Sequence, residues 1–239
     1  MDPLHQFVIQ PIFKIDCCGF DLSFTNSALA VMAAVALIYL IFSCSLRRKN
    51  MVPNRWQAIV EIIYNLVASL VNDNIGKKGM AYMSFVLSIF LFILFGNLVG
   101  LIPHMFTFTS HIAATFTMAI VSVSFVTILG FIQHGAKFLS IFVPSGAPKI
   151  VAPFVALIEL MSYLSRPITL GVRLFANMMA GHIVLKVFAG LSVMFIYFAG
   201  IPVLVNMLLT GLELVIAGIQ AYVFTILTCV YLRDAVYLH

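Results

Sequence analysis

One guanidinium stands out among the groups able to do chemistry. Arg173 lies in LGVRLFANMMAGH, residues 170–182, inside a long apolar run. Insertion scales place a central arginine at about 2.5–3.5 kcal/mol in a bilayer, and a guanidinium cannot shed its proton to escape that cost. The charge must face protein or water. Around it, Glu159, Arg166, Arg173 and Ala180 recur every seven residues, as do Glu213, Gln220, Leu227 and Asp234. Seven residues return to within about 20° of the same helix face. Two apolar segments therefore each carry a file of polar groups.

A short turn with Gly200 and Pro202 joins these segments, so they are expected to be antiparallel neighbours. One register then sets Arg173 opposite Gln220, Glu159 opposite Asp234, and His182 close to Glu213. His182 is nine residues from Arg173, on the far face of a straight helix, so this register needs a bend or side-chain reach. The chemistry indicated is proton relay. Histidine titrates near pH 6.5, and a buried carboxyl group can carry a proton too. Arg173 cannot. Set between two titratable groups, it interrupts the path and can strip a proton from a carboxylic acid brought beside it. Two half-paths divided by a fixed cation conduct only if a partner carries protons past it. That carrier is expected on another subunit.

The elements that must position these groups are apolar. The 239 residues are 63% hydrophobic and 9% charged, with mean hydropathy +1.13. Soluble domains are about 45–50% apolar and about 25% charged. The pattern is that of an all-α polytopic membrane protein. The net charge of +5 is spread over short loops, and no basic run exceeds Arg47-Arg48-Lys49, so a nucleic-acid partner is not expected. Four cysteines form no C-x-x-C pair and no histidine cluster has zinc spacing. Neither a metal nor a cofactor is expected.

About five to six helices are predicted in one membrane domain, residues 1–239. Residues 1–26 form an N-terminal segment and 27–46 a first span. The basic cluster after that span puts the N-terminus outside and the following loop inside. Residues 52–74, with Pro53 in the first turn, are too polar to span comfortably and read as an amphipathic helix on the inner surface. Spans follow at 82–102 and 112–132. The first contains Gly96 and Gly100, a pair suited to close helix contact, with Asn97 between them as a helix-packing hydrogen bond. Segment 150–200 is either two spans or one long tilted helix, with interior Pro167 expected to kink it. Segment 201–234 returns. Arg166 reads as an inner-side anchor, and Lys186 as a residue snorkelling to the outer interface.

At these residues the chain resembles the subunit a family of F-type ATP synthases, the membrane stator beside a rotating ring. The resemblance covers nearly the whole chain. It rests on SFTNS (23–27), VPNRWQAIVE (52–61), GNLVGLIP (96–103) with TSH (109–111), SRPITLGVRLFANMMAGH (165–182), TGLELVIAGIQAYVFTIL (210–227) and the terminal YLRDAVYLH. It implies that Arg173 is the essential stator arginine. It implies His182 and Glu213 in the outer half-channel, Asn177 and Gln220 near the arginine, and Glu159 and Asp234 on the inner exit. The His182/Glu213 arrangement resembles the mitochondrial and alphaproteobacterial form. Gly100 stands where some bacterial members have an acidic residue, and Phe138 where some mitochondrial members have a histidine, so no role is carried over to either. The partners implied are the c-ring, peripheral stalk subunits, the bilayer and protons. The location implied is an energy-coupling inner membrane, mitochondrial or bacterial. This chain would conduct protons without nucleotide chemistry of its own. A secondary transporter whose midplane arginine binds an anionic substrate is the competing reading. It calls for inverted repeats and paired broken helices, and neither is found.

Overall fold

A computed structural model describes residues 11–13, 16–17, 20–21, 23–46, 54–102, 106–142, 152–194 and 200–237. Apolar runs of about 20 residues suffice to cross a bilayer, and six helices here are long and apolar enough to do so, the segment read above as a surface helix included, though with the lowest mean hydropathy of the six at 1.2. They are α1 (Asn26–Leu46), α2 (Arg55–Ile75), α3 (Met83–Gly100), α4 (Ile112–His134), α5 (Ala152–Met194) and α6 (Gly200–Val236). The strands among the described residues are four short pieces before α1. Pro11–Phe13 pairs with Phe24–Thr25 and Asp16–Cys17 with Phe20–Asp21, both antiparallel. The fold is all-α. The cluster Arg47-Arg48-Lys49, on which the inside–outside reading rests, lies outside the described residues, as do residues 195–199 before α6.

Within the 150–200 segment, the described residues up to Met194 form a single helix. α5 runs 43 residues with Pro167 inside it, about 65 Å at about 1.5 Å per residue. The hydrocarbon core is about 30 Å thick, so a helix apolar over that length stays within it only by tilting. Near the proline, hydroxyls turn back onto the backbone. Ser165 Oγ donates to the Ser162 carbonyl at 2.7 Å and Thr169 Oγ1 to that of Ser165 at 2.9 Å.

α2 starts where Asn54 Oδ1 accepts from the Arg55 amide at 2.8 Å and ends at Gly76, whose φ of +77° suits glycine. Its inward face is Val67, Leu70, Val71 and Ile75, while Gln57 and Glu61 stay outside the core. α6 lies at the centre and packs against α2, α3, α4 and α5. The main core joins Val67 and Val71 to Val86 and Ile93 of α3 and to Phe224 and Leu232 of α6.

Missing side chains set two close approaches. A Cβ on Gly171 would come within 3.1 Å of the Phe116 backbone, so α5 crosses α4 tightly there. The Gly96/Gly100 pair serves a different contact from the one expected. A Cβ on Gly96 would meet the Phe108 ring at 2.6 Å, and one on Gly100 would meet Thr107 Cγ2 at 2.6 Å. The glycines receive the segment before α4, a 3-10 turn at Phe108–Ser110 and the residue preceding it, instead of a neighbouring helix.

Candidate functional site: a buried polar cluster beside a partly exposed arginine

Three elements converge past the middle of α5. His182 on α5 and Glu213 on α6 are 9% and 3% exposed, and Thr107 is 3% exposed. His182 Nδ1 stands 3.6 Å from Glu213 Oε1, and its Nε2 stands 3.1 Å from Thr107 Oγ1. Thr107 Oγ1 also donates to the Gly100 carbonyl at 3.1 Å. Gly181 makes room for the carboxyl group, since a Cβ there would lie 2.7 Å from Glu213 Oε1. Glu213 also borders a cavity of about 230 Å³ between α5 and α6, which Asn177 and Gly181 line as well.

Further along the hairpin, Asn177 Nδ2 donates to Gln220 Oε1 at 2.7 Å. Gln220 thus takes Asn177 as partner, where the expected register gave it Arg173. Arg173 itself is partly exposed and has no hydrogen-bond or ion-pair partner among the described residues. An ion pair with Glu159 is not made. The apparent difficulty with His182 disappears in the same geometry. Leu170, Leu174, Met178 and His182 are successive buried positions four apart, and Arg173 and Asn177 lie beside that row on a more open side. His182 and Arg173 occupy different faces, so neither a bend nor a long reach is needed.

At the other end, Asp234 Oδ2 pairs with Arg166 Nη1 at 3.3 Å, with side chains 26% and 16% exposed. The Arg166 guanidinium rests 4.9 Å from the centre of the Tyr163 ring and 4.8 Å from that of Tyr231, within cation–π range. Arg166, seven residues beyond Glu159, therefore meets Asp234, and Glu159 has no ion-pair partner among the described residues. The register drifts along the hairpin. From His182 to Arg166 is about 24 Å of helix and from Glu213 to Asp234 about 32 Å, and the long arginine side chain takes up part of the mismatch. Asn97 is fully buried and its amide points at the Ala217 carbonyl at 3.5 Å, a long contact that joins α3 to α6 as expected of a packing residue. Thr107 is the group that sequence reasoning missed. A threonine in a short loop carries no periodic signal, and only its proximity to Gly100 and His182 reveals it.

These features define a class: a polytopic helical membrane protein with a buried polar file between two long helices and a cation left open at its side. Comparison with known proteins places it more closely. Residues 28–233 match the family model "ATP synthase A chain". ATP synthase subunit a of Parvibaculum lavamentivorans is 48% identical over 244 residues, covering 99% of this chain and 94% of that protein. Subunit a of Rhodospirillum rubrum is 47% identical over 238 residues, 99% of each. That of Agrobacterium fabrum is 47% identical over 245 residues, 99% of this chain and 98% of that one. The chain belongs to the ATP synthase A chain family and is a multi-pass inner-membrane protein.

Proposed function

We propose that this chain is the stator proton channel of an F-type ATP synthase. Two offset aqueous half-channels deliver protons to a carboxylate on a rotating c-ring and take them away again. Arg173 separates the two. The observation that carries this reading is the partly exposed Arg173, without an ion-pair or hydrogen-bond partner among the described residues, lying between His182–Glu213 on one side and Arg166–Asp234 with Glu159 on the other. A cation paired inside the subunit would be structural. One without such a partner is available to a carboxylate presented from outside.

Protons from the outer side enter by His182 and Glu213, with Asn177 and Gln220 positioned next to the arginine. They leave by Glu159 and Asp234. Each proton crossing gains about 2.3 kcal/mol per 100 mV. That energy reaches ATP synthesis only if Arg173 prevents direct passage and forces the proton onto the ring. Peripheral stalk subunits hold the chain against the turning ring.

The test is Arg173→Ala in the assembled complex. Ion-coupled ATP synthesis is expected to vanish while insertion and assembly persist. Arg173→Lys is expected to fail as well, because lysine can lose its proton and lacks the forked geometry. Coupled synthesis at the wild-type rate in either variant overturns the proposal. Orientation has its own test. Cysteine at position 213 is expected to react with a small thiol reagent from outside and cysteine at 234 from inside. The reverse pattern exchanges the two half-channels.

A further inference from the structure

The Thr107 hydroxyl has one proton and, among the described residues, two hydrogen-bond neighbours. The Gly100 carbonyl can only accept, and His182 Nε2 either accepts or donates. Gly100 ends α3, and the last four carbonyls of a helix have no donor from within it. A buried carbonyl left without a donor is costly. The Thr107 proton therefore belongs to Gly100. The oxygen then presents a lone pair to His182, and Nε2 must carry the hydrogen. The bare Gly100 α-carbon is what lets the hydroxyl approach, because a Cβ there would meet Thr107 Oγ1 at 3.0 Å and its methyl group closer still.

We propose that Thr107 is a positioning residue that holds His182 in the Nε2–H tautomer, so that protons enter and leave its ring at Nδ1 alone. Nδ1 is the nitrogen that faces Glu213 Oε1. In the direction of synthesis, a proton from channel water loads Nδ1 and makes the imidazolium. The imidazolium draws the carboxylate in from 3.6 Å to hydrogen-bond distance, and the Nδ1–H bond breaks as a Glu213 O–H bond forms, leaving a neutral ring and a neutral carboxylic acid that passes its proton on. The Nε2–H bond stays intact throughout. A ring held in the other tautomer would present N–H to the acid and could accept nothing from it. The role in transport rests on the proton-channel reading. The tautomer itself does not.

The test uses the assembled complex reconstituted in vesicles, with histidine labelled by nitrogen-15 and the His182 signal identified by its loss in His182→Gln. In the wild type at a pH where the ring is neutral, Nε2 is expected to carry the hydrogen. Thr107→Val keeps the shape and removes the hydroxyl. It is expected to move His182 toward the Nδ1–H tautomer and to lower passive proton conductance about tenfold, the scale of one lost buried hydrogen bond. Thr107→Ser restores the oxygen and is expected to restore both readouts. A wild-type Nδ1–H signal overturns the proposal. So does a Thr107→Val variant with unchanged tautomer, and so does a Thr107→Ser variant as impaired as valine, which would make the residue a packing element. A proton flux insensitive to Glu213 would sink the channel reading and leave the tautomer assignment standing.

Discussion

His182 and Arg173 lie on one helix nine residues apart, yet the protein treats them in opposite ways. His182 is enclosed. Glu213 of α6 and Thr107 of the loop before α4 flank it, one at each ring nitrogen. Arg173 is left beside the buried row with no ion-pair or hydrogen-bond partner among the described residues. A relay works when its members keep fixed distances inside one subunit. A charge that must meet a moving partner cannot be spent on an internal contact. Under the proposed channel reading, the difference assigns the relay to the interior of this chain and the switching step to its surface.

The sharpest way to break this contrast is at Glu213. Glu213→Gln keeps the shape and removes the titrating group. Proton conductance of assembled complexes is expected to fall about a hundredfold, the usual contribution of a positioned acid–base group. Unchanged flux into vesicles would remove Glu213 from the path.

Gly181→Ala tests geometry without touching charge. The new Cβ would stand 2.7 Å from Glu213 Oε1 and 3.0 Å from its Cδ, so the carboxyl group must move. Conductance is expected to drop about tenfold, since displacements near 1 Å cost up to about 10²-fold. Gly218→Ala, whose Cβ would meet nothing within 4 Å, serves as the control and is expected to behave as wild type. Equal effects in the two variants would mean that helix propensity, and not the position of the carboxyl group, is being measured.

The smallest effect belongs to the other end of the hairpin. Asp234→Asn removes one charge of a partly exposed pair. Such pairs contribute about 0.2–1 kcal/mol, so thermal stability of the complex is expected to change little while proton release slows severalfold. A large loss of assembly would show that the Arg166–Asp234 pair is structural.

Much of this is readable from residue order. Apolar runs mark the membrane helices, and seven-residue spacing marks the polar files. Glu213 comes near His182 as the antiparallel register requires. The register fails toward the other end because it assumes straight antiparallel helices running at equal rise. Over that distance the two paths differ by about 8 Å of helix, and Arg166 takes the place of Glu159 at Asp234. The file of polar residues suggests that His182 must swing round to the Arg173 face. Burial decides otherwise, since the row ending at His182 turns inward and Arg173 stays beside it. The glycine pair on α3 is a close-contact site, as its spacing suggests. Its occupant is a loop, and a loop leaves no periodicity to read.

α6 packs against four helices yet leaves one face exposed, and that face has a mechanical consequence for the proposed function. Leu204, Leu208, Leu212, Val215 and Ile219 follow one another three or four residues apart and stand 55–68% exposed, and Tyr222 continues the stripe at 40%. Aliphatic side chains attract through many small dispersion terms of about 0.1–0.2 kcal/mol each, and the stripe is poor in the tryptophan, tyrosine and arginine anchors that dominate tight interfaces. A surface of this kind adheres without gripping. As a neighbour slides across it, attraction given up at the trailing edge is regained at the leading edge, and the energy stays nearly level. Against the rotating ring of the proposed function it would act as a bearing: wide enough to stay seated, and too shallow to hold any one angle.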